Sequence, residues 1–363
     1  MELTPIQIRG KRRRKGDPPP APRSKRPRNK DDKKRNMKPR PKASDIQRSL
    51  PLEILEQIFW WSENVNLPKA SPLLGSRLSG PPTLRKTFNQ AFGPTWDVWF
   101  GCIRGSIVLE DPDEHLEINS YSGWATDKGA FGGNPDFQSA VLNESWVTID
   151  LILDCWDIWV RKYARNRTLV HAPLWKDPGS INPAEPYDAY VEQNLDVVTE
   201  PGQIKEARHY FFHDYKLHRQ FLEDMGNQWS PLWTGRFNWM QVHPDTRFPE
   251  ALLTGPWDEA ATQKLFWLVR GFPEIWAHRS ETIASWEVTK PGYLTALRAV
   301  NITVLHLFKM LDVPSFWPIH VQEEVADEVA AFIQELRQAQ ADPLTIHWLE
   351  IELICVQSRR LNP

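Results

Sequence analysis

A mainly α-helical protein with an unstructured basic N-terminal tail is predicted by three features of the sequence. Apolar residues recur at helical spacing along most of the chain after residue 137, a compact amphipathic segment lies at Leu50–Phe59, and a proline-rich run of lysines and arginines precedes it. The 363 residues, 41% of them hydrophobic, are enough for one large domain or two ordinary ones.

The net charge of -2 conceals an asymmetry. Residues 1–47 carry 17 Lys+Arg against 5 Asp+Glu, or +12, which leaves 27 basic and 41 acidic residues, or -14, for the remainder. The basic residues fall in clusters: Lys11, Arg12, Arg13, Arg14 and Lys15, then Lys25, Arg26, Arg28 and Lys30, then Lys33, Lys34 and Arg35. So much charge and proline with so little apolar surface does not repay the entropy of ordering, and disorder is expected. Such clusters suit capture by a nuclear import receptor, and equally by a polyanion, so a nuclear or nucleocytoplasmic location is expected. No aromatic residue is interleaved with them, which leaves nucleic-acid binding with phosphate contacts alone, a weak mode without base stacking.

The segment Leu50–Phe59 starts on Pro51, whose missing N–H and fixed φ suit the first helical turn, and places Glu53 where the helix dipole favours a negative charge. Leu50, Leu52, Ile54, Leu55, Ile58 and Phe59 give it an apolar surface wider than one stripe. A helix of about three turns with two apolar sides has to serve its own domain and a partner, the arrangement of helix-in-groove recognition.

Residues Leu50 to about Phe92 resemble an F-box in the form common in fungal proteins. Leu50, Pro51, Glu53, Ile54, Ile58 and Phe59 fall on its Leu-Pro-x-Glu-Ile…Ile-Phe core, followed by Asn66, Leu67, Ala70, Ser71, Leu74 and Leu78. The resemblance implies a helical module at residues 48–92 that docks on a Skp1-type adaptor, and through it on a cullin–RING ubiquitin ligase. It makes Leu50, Pro51, Leu52, Ile54, Leu55, Ile58 and Phe59 the expected adaptor surface, some of them packing inward. The tryptophan usual near the end of the motif is absent, with Phe88, Phe92 or Trp96 as stand-ins. Ser71 and Pro72 read as an N-cap and first helical residue, so the second helix is expected to start late. A second segment, Leu252–Pro273, resembles one that recurs in the C-terminal regions of fungal F-box proteins of unknown target. It reads as a turn at Gly255-Pro256 and a helix led by Asp258 and Glu259.

Residues 93–136 read as a connecting region, with a β-prone run at Ser106–Leu109 and flexible glycines at Gly129, Gly132 and Gly133. Residues 137–363 form the expected helical, Trp-rich domain. Helices are predicted at Phe137–Leu142, Val147–Tyr163, Ile204–Met225, Glu259–Val269, Tyr293–Leu311 and Val321–Leu336. With no clean repeat, irregular stacked helix pairs in the manner of a degenerate solenoid suit this pattern. Of the 18 tryptophans, Trp156, Trp159, Trp229, Trp233, Trp239, Trp257, Trp267, Trp276, Trp317 and Trp348 lie here, mainly as packing, with a minority available to line a recognition groove.

No apolar signal segment opens the chain, and its longest apolar run, Val147–Val160, is broken by Asp150, Asp154 and Asp157, so no membrane association is expected. Cys102, Cys155 and Cys355 are too scattered for a disulfide framework or a zinc pair, which excludes a built-in RING module. His209 and His213, four apart on a helix with His218 beyond, have metal-ligand spacing, yet they lie opposite the side defined by Ile204, Ala207, Phe211, Tyr215 and Leu222 and lack the glutamate of a zinc hydrolase. Glu110-Asp111 and Asp113-Glu114 read as solvated loop charges. Without a nucleophile elbow or phosphate loop, the sequence points to a non-enzymatic receptor for an unidentified protein substrate, with no cofactor. The alternatives are an F-box-like scaffold without ligase function and a nuclear nucleic-acid-associated protein acting through the tail.

Overall fold

A computed structural model describes residues 47–100, 131–171, 175–176, 197–224, 232–233, 239–272 and 284–358. The chain divides into Met1–Ile46 and Gln47–Pro363, and all described residues belong to the second unit. The tail clusters, the Ser106–Leu109 run and the acidic pairs at 110–114 lie outside the described residues.

Helix α1 (Leu52–Ser62) begins on Pro51, whose carbonyl accepts Leu55 N–H at 3.2 Å, and ends where Glu63 turns left-handed at φ 49°. Helix α2 (Pro72–Leu78) starts late, as expected: Ser71 Oγ accepts Leu74 N–H at 3.2 Å and Pro72 occupies the first turn. Leu55, Phe59 and Trp60 of α1 pack on Leu74 and Leu78 in a small core of their own, with Leu50 and Leu67 at its edge.

Helix α3 (Pro81–Trp99) ties this small core to the large one. Its first half meets α1, with Thr83 Oγ1 donating to Glu56 Oε1 at 2.5 Å and Trp60 Nε1 donating to Thr87 Oγ1 at 3.2 Å. From Phe88 onward it sends Phe88, Phe92 and Trp96 into the main core. The helix therefore runs through the expected boundary at residue 92, past Pro94, to Trp99. Pro94 is tolerated because packing fixes the turns around it: Trp96 Nε1 donates to Gln241 O at 2.9 Å, and a Cβ on Gly93 would lie 3.2 Å from the Trp159 indole. Gly132 and Gly133, expected as a flexible connection, instead form a packed turn against this stretch. Their φ values are 67° and 83°, and a Cβ on Gly132 would come within 2.5 Å of Pro94 O.

Helices α4 (Pro135–Leu142) and α5 (Ile149–Tyr163) follow, capped by Asn134 and Thr148. Two small antiparallel sheets, which the sequence did not signal, pair β1 (Leu169–His171) with β3 (Val197–Thr199) and β2 (Trp175–Lys176) with β4 (Leu232–Trp233). Helix α6 (Ala207–Glu223) lies against α5. The three aspartates that interrupt the apolar run of α5 make this joint. Arg208 reaches Asp150 at 2.8 Å and Asp154 at 2.6 Å, and Asp157 accepts Ala207 N–H at 2.8 Å, capping α6 from outside.

A short helix α7 (Glu250–Thr254) leads into α8 (Glu259–Gly271), where Asp258 serves as N-cap by accepting Ala261 N–H at 2.7 Å. From Leu265 to Phe272 every residue of this segment is buried, and α8 touches α5, α6, α7 and the later helix α10 (Ile302–Met310). The body thus converges on a central helix, whereas a solenoid repeat contacts its sequence neighbours only. A hairpin of two stacked helices, α11 (Ile319–Gln338) and α12 (Pro343–Ser358), closes the described chain.

The single helix expected at Tyr293–Leu311 is two, α9 (Trp286–Arg298) and α10, because Val300 turns left-handed at φ 51° and Asn301 caps the second by accepting Val304 N–H at 3.2 Å. Helix α9 crosses α7 so closely that a Cβ on Gly292 would sit 1.7 Å from Leu253 O.

Candidate functional site

The site with the clearest outward chemistry is α1. At about 100° per residue, Leu55 and Phe59 turn toward α2 and are 4% and 2% exposed, so they belong to the core and offer no partner surface. They are the members of the expected adaptor set that pack inward. Ile54 and Ile58 face away and are 40% and 42% exposed. Pro51 and Leu52 are also exposed at the start of the helix, while Leu50 is half-buried against the small core.

Trp61, outside the expected set, shares the outward face of the helix. It lies seven residues after Ile54 and three after Ile58, completing their stripe, and it is 79% exposed. Its neighbour Trp60 faces inward, pinned by Thr87 and by Lys86 Nζ, which stands 3.4 Å from the Trp60 ring centroid. The outward side of α1 thus presents Ile54, Ile58 and Trp61 as a continuous apolar stripe on a helix held firmly from behind.

The other candidate groups do not form an outward site. His209 and His213 are exposed, as their spacing implied, but His218 is buried and bonded to His306, with Nε2 and Nδ1 3.0 Å apart. The three histidines therefore face different environments, and among the described residues no group of three His, Cys, Asp or Glu converges to hold a metal. Burial pushes His218 down to about 3 and holds His306 well below the ordinary imidazole range, so both are neutral near pH 7. Cys155 is a free thiol in the core, pushed up to about 12 by burial, and so unsuited to nucleophilic work.

A buried ion pair joins Asp214 and Arg270 through Nε at 2.6 Å, with the guanidinium 3.6 Å from the Trp239 ring centroid. Burial raises the Asp214 carboxyl and Arg270 opposes it. Trp156, Tyr210, Trp239, Gln241, Trp267 and Arg270 help to line an adjoining cavity of about 10 Å³, room for about one water molecule. Trp156, Trp159, Trp239, Trp267, Trp317 and Trp348 are all buried, in keeping with a packing role, and Trp257 is half-buried. The side chains of Trp229, Trp233 and Trp276 lie outside the described residues. The segment beginning at Leu252 is the end of α7, the turn and α8, whose stretch from Leu265 to Phe272 packs in the core.

Comparison with known proteins identifies no relative: no family model, curated protein or solved structure matches the chain. No helix among the described residues is long and apolar enough to cross a membrane.

Proposed function

We propose that this chain is a non-catalytic receptor subunit: α1 docks it on a Skp1-type adaptor of a cullin–RING ubiquitin ligase, and the helical body presents a protein target for ubiquitin transfer. The observation that carries this reading is the division of labour on α1. Leu55 and Phe59 secure the helix to its own module, which leaves Ile54, Ile58 and Trp61 exposed together. Scattered apolar residues on a surface are ordinary, but a helical stripe ending in an exposed indole is the pattern of a helix that enters a groove. The mechanism is proximity: docking brings a bound target near the ligase, and no residue of this chain touches the reacting atoms.

The Leu-Pro-x-Glu-Ile…Ile-Phe pattern at Leu50–Phe59 supports the same reading, and the basic clusters before it support capture by an import receptor. The +12 charge of residues 1–47 also favours a second reading, a nuclear protein that holds nucleic acid through phosphate contacts.

Co-purification of the full chain with a Skp1-type adaptor tests the proposal, using a Pro51→Ala, Ile54→Ala, Ile58→Ala variant as control. The expected result is association with the parent chain that is lost in the variant while its helical content and melting temperature are kept. Absence of association with the parent, accompanied by salt-sensitive retention on a polyanion, would replace it with the nucleic-acid reading.

A further inference from the structure

The closing hairpin α11–α12 meets the body through a mainly apolar contact that includes Val321, Val325, Val329, Ile333 and Leu349, and α12 sets two polar groups into it that the docking proposal does not use. On α12, Trp348 donates Nε1–H to Leu222 O of α6 at 3.0 Å and packs edge-on against Phe221 and His306. One turn further along α12, Glu352 is buried, its side chain 4% exposed, and its Oε1 lies 3.6 Å from Lys309 Nζ of α10. That separation is beyond a hydrogen bond, and among the described residues Oε1 has no hydrogen-bond partner.

A carboxyl in this position has two states of very different cost. Protonated, it is a small neutral group that the contact accommodates. Ionised, it is a buried anion with Lys309 at ion-pair distance but without a hydrogen bond between them, and the desolvation of such a charge is only partly repaid. The surrounding groups offer little further help. His306 and His218 are held neutral near pH 7 by burial, Arg219 of α6 lies on the exposed surface beside His218, and Glu350 of α12 is paired with Arg337 of α11.

We infer that Glu352 is a proton-operated latch for the C-terminal hairpin: α11–α12 is docked firmly while this carboxyl is protonated and is held less firmly once it ionises. Burial pushes Glu352 up to about 7 from an ordinary value of 4.5, with Lys309 opposing the rise. Because the docked value is the higher one, its favourable contribution is complete below 4.5, is lost as pH rises toward about 7, and stays lost above that. The histidine pair acts in the opposite sense, weakening docking as pH falls below about 6.5. Comparison of variants at equal pH therefore isolates the carboxyl.

The test is amide hydrogen exchange along α12 in the full chain, at pH 5 and pH 8, with intrinsic exchange corrected. At pH 8, Glu352→Gln is expected to slow exchange through hairpin opening at least about 10-fold. At pH 5, where the parent carboxyl is mostly protonated, the difference should shrink severalfold. Lys309→Met supplies a second arm, accelerating α12 exchange at pH 8 and much less at pH 5. An equal effect of Glu352→Gln at both pH values, or exchange of α12 only in step with the whole protein, would overturn the latch.

Discussion

Trp60 and Trp61 are adjacent in sequence and face opposite environments: Trp60 is 8% exposed and donates its indole N–H to Thr87 Oγ1 at 3.2 Å, whereas Trp61 is 79% exposed. The peptide between them marks the line along which α1 divides into a side that builds the protein and a side that remains in solvent.

That division separates folding from docking in mutants. Leu55→Ala should destabilise the protein by about 2 to 4 kcal/mol in urea unfolding, as expected for a buried leucine in a small core. Ile54→Ala and Ile58→Ala should each stay within about 0.5 to 1 kcal/mol of the parent, since the side chains they shorten are substantially exposed.

Removal of one partner of the Asp214–Arg270 pair leaves a charge in the interior. Asp214→Ala should cost about 3 to 5 kcal/mol by chemical denaturation. The double change Asp214→Leu, Arg270→Met should recover much of that loss, because a buried pair and apolar residues of similar volume are often near-equivalent. Failure of the double variant to improve on the single one would show that Arg270 matters chiefly through its packing on Trp239.

A methyl group has no place at the crossing of α9 and α7. Gly292→Ala would bring Cβ to 1.7 Å from Leu253 O, a backbone atom that moves only with its helix. A loss of about 3 kcal/mol or more, read as a large drop in melting temperature, is expected from overpacking. Exposed Gly202, whose φ is +81° with nothing within 4 Å of a Cβ, should show only the modest cost of its backbone conformation when changed to alanine.

The histidine pair between α6 and α10 should make the protein acid-sensitive. His218 is pushed down from 6.5 to about 3, so its stabilising contribution is complete above pH 6.5 and is lost as pH falls toward about 3. His306, bonded to it and held below the ordinary range by the same burial, adds to the loss in the same direction. Urea unfolding at stepped pH should show stability falling with acidity, and His218→Gln should flatten the profile even if it lowers stability at pH 7.

Much of the helical architecture is legible in the sequence. The periodic stripe of α11 gives its core residues Val321, Val325, Val329 and Ile333, and the cap signals Ser71-Pro72 and Asp258 mark two helix starts. Where pattern and structure part, the cause is tertiary. Helix α12 carries Trp348, Leu349, Ile351 and Ile354 around its circumference, so no single face announces it. The break between α9 and α10 depends on a left-handed Val300, a conformation that valine does not advertise. At the site, the apolar positions of α1 were readable, but their assignment to core or solvent required the position of α2. Trp61 was obscured by its neighbour, since two consecutive tryptophans look alike until one has found Thr87.

The most direct measurement is a calorimetric titration of the full chain with a Skp1-type adaptor, parent against an Ile54→Ala, Ile58→Ala variant of unchanged stability. The expected outcome is saturable binding by the parent and at least about a tenfold weaker affinity in the variant, the scale of a lost interface anchor. Equal affinity for the two, or no heat of binding from the parent, would contradict α1 as the docking helix.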